Sequence, residues 1–170
     1  MRKLNKFLVS GMAVALSVPM MTMPVFAAAG TGTTPVSYEN RNMIPDPDHP
    51  DNPEWAVMIP SAIKFTDDQK SVDTTIELTG MNGNSLAADL EVDVTVASTN
   101  GYTLNNNDGS QKLAYELYSE GTLVTADADT VAKLSAADTK RPGNAVLKGT
   151  ATSLGSYTDT LTYSAERVTP

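Results

Sequence analysis

The chain has 170 residues, no cysteine, one histidine, and 20 acidic against 12 basic side chains, for a net charge of −8. That acidity opposes phosphate backbones and anionic lipid surfaces, so neither nucleic acid nor a membrane surface is an expected partner. Without cysteine there is no disulfide and no thiol nucleophile, and a domain of this size must rest on its own apolar core.

The first predicted element is a signal peptide over residues 1–28. Arg2, Lys3 and Lys6 precede an uncharged run rich in Leu, Val, Met and Ala over residues 7–18. Small residues at Val25, Ala27, Ala28 and Ala29 then supply a cleavage site after Ala27, Ala28 or Ala29. A spanning helix wants about 20 uninterrupted apolar residues, and Pro19 and Pro24 interrupt this one. Absence of a cysteine beside the site removes lipoprotein anchoring. Loss of Arg2, Lys3 and Lys6 takes the 12 basic residues to nine and the net charge from −8 to −11. The expected location is therefore outside the membrane: secreted, extracellular or associated with the cell wall.

Residues 29–54 read as a flexible, partly extended spacer. Pro45, Pro47, Pro50 and Pro53 are interleaved with Asp46, Asp48, Asp51 and Glu54, and proline's fixed φ and missing N–H bar such a segment from a sheet interior. From Trp55 the hydrophobic period becomes two. Trp55, Val57 and Ile59 alternate with Ala56 and Met58, and Ile63 and Phe65 briefly repeat the pattern. Val72, Thr74, Ile76 and Leu78 form a second run, and Leu90, Val92, Val94 and Val96 the clearest half-buried strand. Asn100-Gly101 signals a tight type I′ turn into Tyr102 and Leu104. The loop over residues 105–110 precedes Leu113, Tyr115 and Leu117, and Ser119-Glu120-Gly121 turns into residues 122–125. Over residues 127–138 the alternation fails. Val131 and Leu134 lie three apart, and Asp129-Thr130 could cap one or two turns, which predicts a short helix or an irregular loop. Strands resume over residues 145–151 and 157–164, with Gly155-Ser156 as the turn between them. The expected fold class is all-β: an antiparallel β-sandwich, immunoglobulin-like or jelly-roll-like, of seven or eight strands over residues 55–170, with a barrel as the structural alternative.

Chemistry is sparse. The only histidine, His49, lies in the proline-rich spacer, and there is neither a Gly-x-Ser-x-Gly elbow nor a Ser-x-x-Lys. Strand carboxylates such as Glu77, Glu91 and Asp93 alternate with the apolar positions and so fall on a solvated face, not as a facing catalytic pair. Asp46, Asp48, Asp51 and Glu54 could offer oxygens to calcium, but their prolines stiffen the spacing. Asp127-x-Asp129 starts like a calcium loop and fails at Val131 and Ala132. No catalytic residue, metal site or cofactor is expected. Trp55 reads as core, and Tyr102, Tyr115 and Tyr163 as strand residues. Tyr118 and Tyr157 are the candidates for an exposed aromatic binding surface, as carbohydrate recognition would need.

Three stretches carry a resemblance. They are Val57-Met58-Ile59-Pro60-Ser61-Ala62-Ile63-Lys64-Phe65-Thr66, the run from Val92 through Ser98-Thr99-Asn100-Gly101-Tyr102-Thr103-Leu104, and Gly155-Ser156-Tyr157-Thr158-Asp159-Thr160-Leu161-Thr162-Tyr163. In this order they resemble small secreted surface proteins of Gram-positive bacteria, some of which accompany the WxL cell-wall-associated proteins. The last stretch is also similar to spore-coat-U-like and pilin-type sandwiches. The resemblance implies a non-enzymatic cell-surface module for adhesion or envelope assembly, partnered by a cell-wall polymer or another surface protein. The Trp-x-Leu pair itself is missing, since Ala56 and Val57 follow Trp55, and no Leu-Pro-x-Thr-Gly sorting signal is present. Attachment is therefore expected to be non-covalent or through partners.

Two further expectations concern assembly. The terminal run from Tyr157 to Tyr163 could pair with another chain if it lies at a sheet edge, and self-association would follow the same route. The alternative is a subunit of a pilus-like or matrix fibre in which the spacer over residues 29–54 donates a strand; the prolines from Pro45 to Pro53 oppose this, while residues 33–38 could still donate. A secreted polysaccharide hydrolase is the remaining, weaker alternative.

Overall fold

The computed structural model describes residues 42–168. The expected signal peptide and the spacer up to Arg41 lie outside the described residues. In chain order the strands are β1 (Met43–Pro45), β2 (Trp55–Met58), β3 (Ser71–Asp73), β4 (Ile76–Gly80), β5 (Glu91–Ser98) and β6 (Thr103–Asn106). There follow β7 (Lys112–Ser119), β8 (Thr122–Leu123), β9 (Thr130–Ser135), β10 (Lys140–Arg141), β11 (Gly143–Leu147), β12 (Tyr157–Thr158) and β13 (Leu161–Arg167). No helix occurs among the described residues, and every strand pairing is antiparallel.

The strands form a sheet of order β1-β2-β4-β10, a sheet of order β12-β6-β7-β11-β3 with β8 beside β7, and a sheet of order β13-β5-β9. Each of these sheets keeps free ends, so the fold is sandwich-like and not a closed barrel. Among the described residues there are thirteen strands where seven or eight were expected, in part because runs that look continuous in sequence change sheets midway.

One core joins the layers. Trp55 and Val57 of β2, Ile76 and Leu78 of β4, Val92, Val94 and Val96 of β5, Leu117 of β7, Leu134 of β9 and Ala145 of β11 pack into a single cluster. The strict alternation read in β5 is realised, with Val92, Val94 and Val96 at most 1 % exposed. Burying each such side chain is worth roughly 1.5–3 kcal/mol.

Four sequence expectations need correction. The stretch over residues 127–138 is not helical; it contains β9. The register of β5 with β9 slips between Val94 and Thr95, where Ala132 and Thr130 are the successive partners. The extra residue, Val131, lets Val131, Ala132 and Leu134 all point inward, so a β-bulge imitates a helix's three-residue spacing. Second, the run from Val72 to Leu78 divides between two sheets. The Asp73 carboxylate accepts the Thr75 N–H at 2.9 Å and the Thr75 hydroxyl at 3.1 Å, turning the chain locally. Thr74 is buried there, its N–H donating to the Gly143 carbonyl at 2.9 Å. A Cβ on Gly143 would sit 2.8 Å from Thr74 Oγ1, so that close approach requires glycine.

Third, the spacer does not remain free as far as Glu54. Met43, Ile44 and Pro45 pair with Met58, Val57 and Ala56, and Pro45 is tolerated because β1 is an edge strand. Asp46 is 2 % exposed. Its carboxylate accepts the Asp48 N–H at 3.0 Å and lies 2.8 Å from His49 Nδ1, tying down the proline-rich loop. Fourth, the tight turn expected at Asn100-Gly101 is displaced by one residue. Positive φ falls on Gly101 (63°) and Tyr102 (58°), and the turn carries the chain from β5 in one sheet to β6 in another.

Candidate functional site: the outer edge of β13

The terminal run splits at Asp159 and Thr160 into β12 and β13, and both strands end a sheet. The pairing of β13 with β5 is unbroken from Leu161 opposite Ser98 to Arg167 opposite Val92. Thr99 donates its N–H to the Thr160 carbonyl at 2.9 Å, and Val168 donates its own to the Glu91 carbonyl at 2.9 Å. Even-numbered residues of β13 therefore carry the ladder to β5. In an antiparallel pair the intervening residues aim their N–H and C=O groups the other way, so Leu161, Tyr163, Ala165 and Arg167 present theirs to the outer edge. No backbone partner meets these groups among the described residues.

The side chains of those residues face the core but are incompletely covered. Leu161, Tyr163 and Ala165 pack against the buried cluster while remaining half-exposed, whereas Thr162, Ser164 and Glu166 are fully on the solvent face. Facing β13 is the irregular stretch over residues 59–65, which leaves β2 at Pro60. Between the two lies a cleft of about 480 Å³ lined by Ile59, Ile63, Phe65, Leu104, Leu161 and Tyr163 among others. Its base is aromatic: the Phe65 and Tyr115 rings are tilted with centroids 5.9 Å apart, and Tyr102 meets Tyr115 edge-on at 5.9 Å.

Asp159 fixes one end of this cleft. Its carboxylate accepts the Ser98 hydroxyl at 2.6 Å, the Tyr115 hydroxyl at 2.7 Å, the Asn100 N–H at 3.0 Å and the Thr160 N–H at 2.7 Å. Ser98 Oγ in turn accepts the Tyr102 N–H at 2.6 Å. The network clamps the turn after β5 to the start of β13 and leaves the carboxylate saturated with donors, which suits a structural clamp. Burial, then the hydrogen bond to Asp159, hold the Tyr115 phenol protonated well above its ordinary range. Burial likewise pushes Tyr163 up to about 12, and its hydroxyl has no hydrogen-bond partner.

The two tyrosines singled out from sequence do not come together. Tyr157 opposes Asn106 at the Lys112 end of β7's neighbour β6, whereas Tyr118 lies six residues beyond Lys112 along β7, roughly 20 Å away at about 3.3 Å per residue. Both are half-buried and engaged. The Tyr157 hydroxyl is 2.6 Å from Gln111 Oε1 and 2.9 Å from the Ser153 carbonyl. The Tyr118 hydroxyl donates to Glu116, which also holds Lys148 Nζ at 2.9 Å. No shared aromatic platform results. The strand acids are also dispersed: Asp93 pairs with Lys133 at 2.8 Å and Glu77 with Lys140 at 3.8 Å. Among the described residues no cluster of histidine, aspartate or glutamate is placed to hold a metal ion, and no helix is long and apolar enough to cross a membrane.

Sequence reasoning missed the second wall of the cleft. Ile63 and Phe65 are visible as an alternating pair, but nothing local says that they face β13 across a gap.

No protein family matches the sequence, and no curated protein matches it. Among solved structures the chain is similar to the P pilus rod subunit PapA, at 14 % identity and a TM-score of 0.39, over 66 % of this chain and 99 % of that one. It is also similar to a chain of a chaperone–tip adhesin complex from CFA/I fimbriae biogenesis, at 12 % identity and a TM-score of 0.37, over 80 % of this chain and 40 % of that one.

Proposed function

We propose that the chain is a secreted, non-enzymatic surface module of the cell envelope that works by binding, taking an extended segment of a partner along the outer edge of β13. The observation that carries this reading is the edge itself. Seven consecutive residues present one unpaired side, half-covered apolar side chains sit beneath it, and a cleft runs alongside. Solitary sheet edges are normally blunted by proline, lysine or a bulge. Residues 161–165 contain no proline and no charge, the charged Glu166 and Arg167 falling at the far end of the strand, and the register with β5 has no shift. Backbone pairing would supply affinity, and the cleft would select the partner's alternate side chains. Adhesion and envelope assembly both follow from such a surface, and a strand donated by another copy would extend it into a fibre.

The test is co-sedimentation with isolated Gram-positive cell walls, with and without prior stripping of wall proteins. Ala165→Pro removes an outward N–H and leaves the ladder to β5 intact, so it is expected to fold and to lose at least tenfold in pelleting. Pelleting equal to the unmodified protein would rule the edge out as the binding surface. Retention by stripped walls would identify a wall polymer as the partner, and retention only by unstripped walls a surface protein.

A further inference from the structure

We infer that Met43 and Met58 form one oxidation site on the outer face of β1 and β2: peroxides convert both thioethers to sulfoxides, and β1 then loosens from its sheet while the core stays folded.

Placement is the first argument. Met43 and Met58 are direct partners in the pairing of β1 with β2. Asp46 donates its N–H to the Trp55 carbonyl at 3.0 Å, and Ile59 donates its own to the Asn42 carbonyl at 2.8 Å. The bonded pairs are therefore Asp46 with Trp55, Ile44 with Val57 and Asn42 with Ile59, and the two methionines fall at a pair that exchanges no bonds. Cα atoms at such a pair lie about 4.5 Å apart, and side chains approach most closely there. Ile44 and Val57 turn inward to the core cluster. Met43 and Met58 alternate with them, 42 % and 37 % exposed, and neither belongs to that cluster.

Access is the second. β1 ends its sheet, so no further strand covers Met43 among the described residues. Met58 lines an open cleft of about 240 Å³ with Ile59, Pro60, Thr75 and Glu77 among others. A small oxidant meets either side chain without any opening of the fold.

The chemistry follows from the thioether. A sulfur lone pair attacks one oxygen of hydrogen peroxide; the S–O bond forms as the O–O bond breaks, and the proton on the transferred oxygen leaves with the departing hydroxide as water. Sulfur gives up two electrons and the peroxide takes them. An apolar, flexible side chain becomes a polar one, and contacts between methionines are disrupted. β1 has three residues, and its outward pairs with β2 are Met43 with Met58 and Pro45 with Ala56. Oxidation thus alters one of two outward pairs on a short edge strand. The core cluster contains neither sulfur, so the effect stays local.

The test treats the chain from Ala28 to Pro170 with dilute hydrogen peroxide, maps the added oxygen by peptide mass spectrometry and follows amide exchange by NMR. Met81 is the only other methionine beyond the expected signal peptide, and it is less exposed. Met43 and Met58 should each gain one oxygen before Met81 does. The Ile44 amide, bonded to Val57 in this register, should then exchange about threefold faster, while the Val94 amide of β5 keeps its rate. Methionine sulfoxide reductases should restore the slow exchange of Ile44. The variant Met43→Leu/Met58→Leu keeps the apolar pair and should make the Ile44 amide indifferent to peroxide. Oxidation of Met81 first overturns the inference. So do sulfoxides at both positions with an unchanged Ile44 amide, or an equal quickening at Val94, which would make the methionines supports of the whole fold.

Discussion

β5 and β13 are adjacent strands of one sheet with opposite fates. β5 is paired on both sides, by β13 and by β9, and its inward valines are closed over completely. β13 is paired once, and its inward residues are only partly covered. The same alternating chemistry is closed over in one strand and left at an open edge in the other. Number of neighbours, not composition, makes the difference.

The sharpest way to break this comparison is to remove equal side chains from its two sides. Leu134 on β9 packs against β5 and is 2 % exposed, so Leu134→Ala should cost about 2–5 kcal/mol. Leu161 on β13 is half-exposed, and Leu161→Ala should cost about 1 kcal/mol because less apolar area leaves water when it folds. Urea unfolding of both variants provides the measurement. Equal losses would mean that β13 belongs to the closed core, and the contrast would disappear.

The contrast also explains what could be read from sequence. The Val92, Val94, Val96 alternation states its own secondary structure and burial because one face of β5 is buried without interruption. β9 was illegible because a single bulged residue, Val131, converts a two-residue period into a three-residue one. The change of sheet at Thr74 was hidden by a threonine that kept the alternation going, and only the Asx-type turn of Asp73 betrays it. The site fared worse than the fold. Tyr118 and Tyr157 were chosen by residue type, and their hydroxyls are committed to Glu116 and to Gln111 and Ser153. The terminal run from Tyr157 to Tyr163 was a candidate edge from sequence, but that β13 ends its sheet depends on which strands fail to pair, a non-local property that no window of sequence contains.

A smaller effect sharpens the comparison from the β13 side. Tyr163 buries a hydroxyl without a partner, and burial raises its pKa to about 12. An unpartnered buried hydroxyl costs about 1–3 kcal/mol, so Tyr163→Phe should match the unmodified protein in stability or exceed it. The alkaline limb follows by linkage. The folded pKa lies above the unfolded value of about 10, so the neutral phenol's contribution is complete below pH 10 and is lost as pH rises from 10 towards 12. Urea midpoints across that window should fall less steeply for Tyr163→Phe than for the unmodified protein, with Tyr115 supplying the residual slope. Identical slopes would show that Tyr163 ionises without strain, as a residue open to water would.

The smallest effect lies where β1 enters the fold. His49 is exposed, and its pKa is raised above 6.5 chiefly by the hydrogen bond to Asp46, with the charges of Asp46, Glu54 and Asp48 adding to it. A raised folded pKa means that the pair's contribution is present in full below about 6.5 and is lost as pH rises through the higher folded value. The imidazole should therefore titrate above 6.5 when followed by NMR, and Asp46→Asn should bring it back down. The same substitution leaves the Asp48 N–H an oxygen to bond, so a fall in the His49 pKa with little change in the β1–β2 pairing would isolate the ionic contact. An unchanged titration would show that the loop over residues 46–54 is held by its backbone bonds, Asp46 to Trp55 and Asn52 to His49, at 3.0 and 3.1 Å. In that case β1 would be anchored to β2 independently of pH, in acid and base alike.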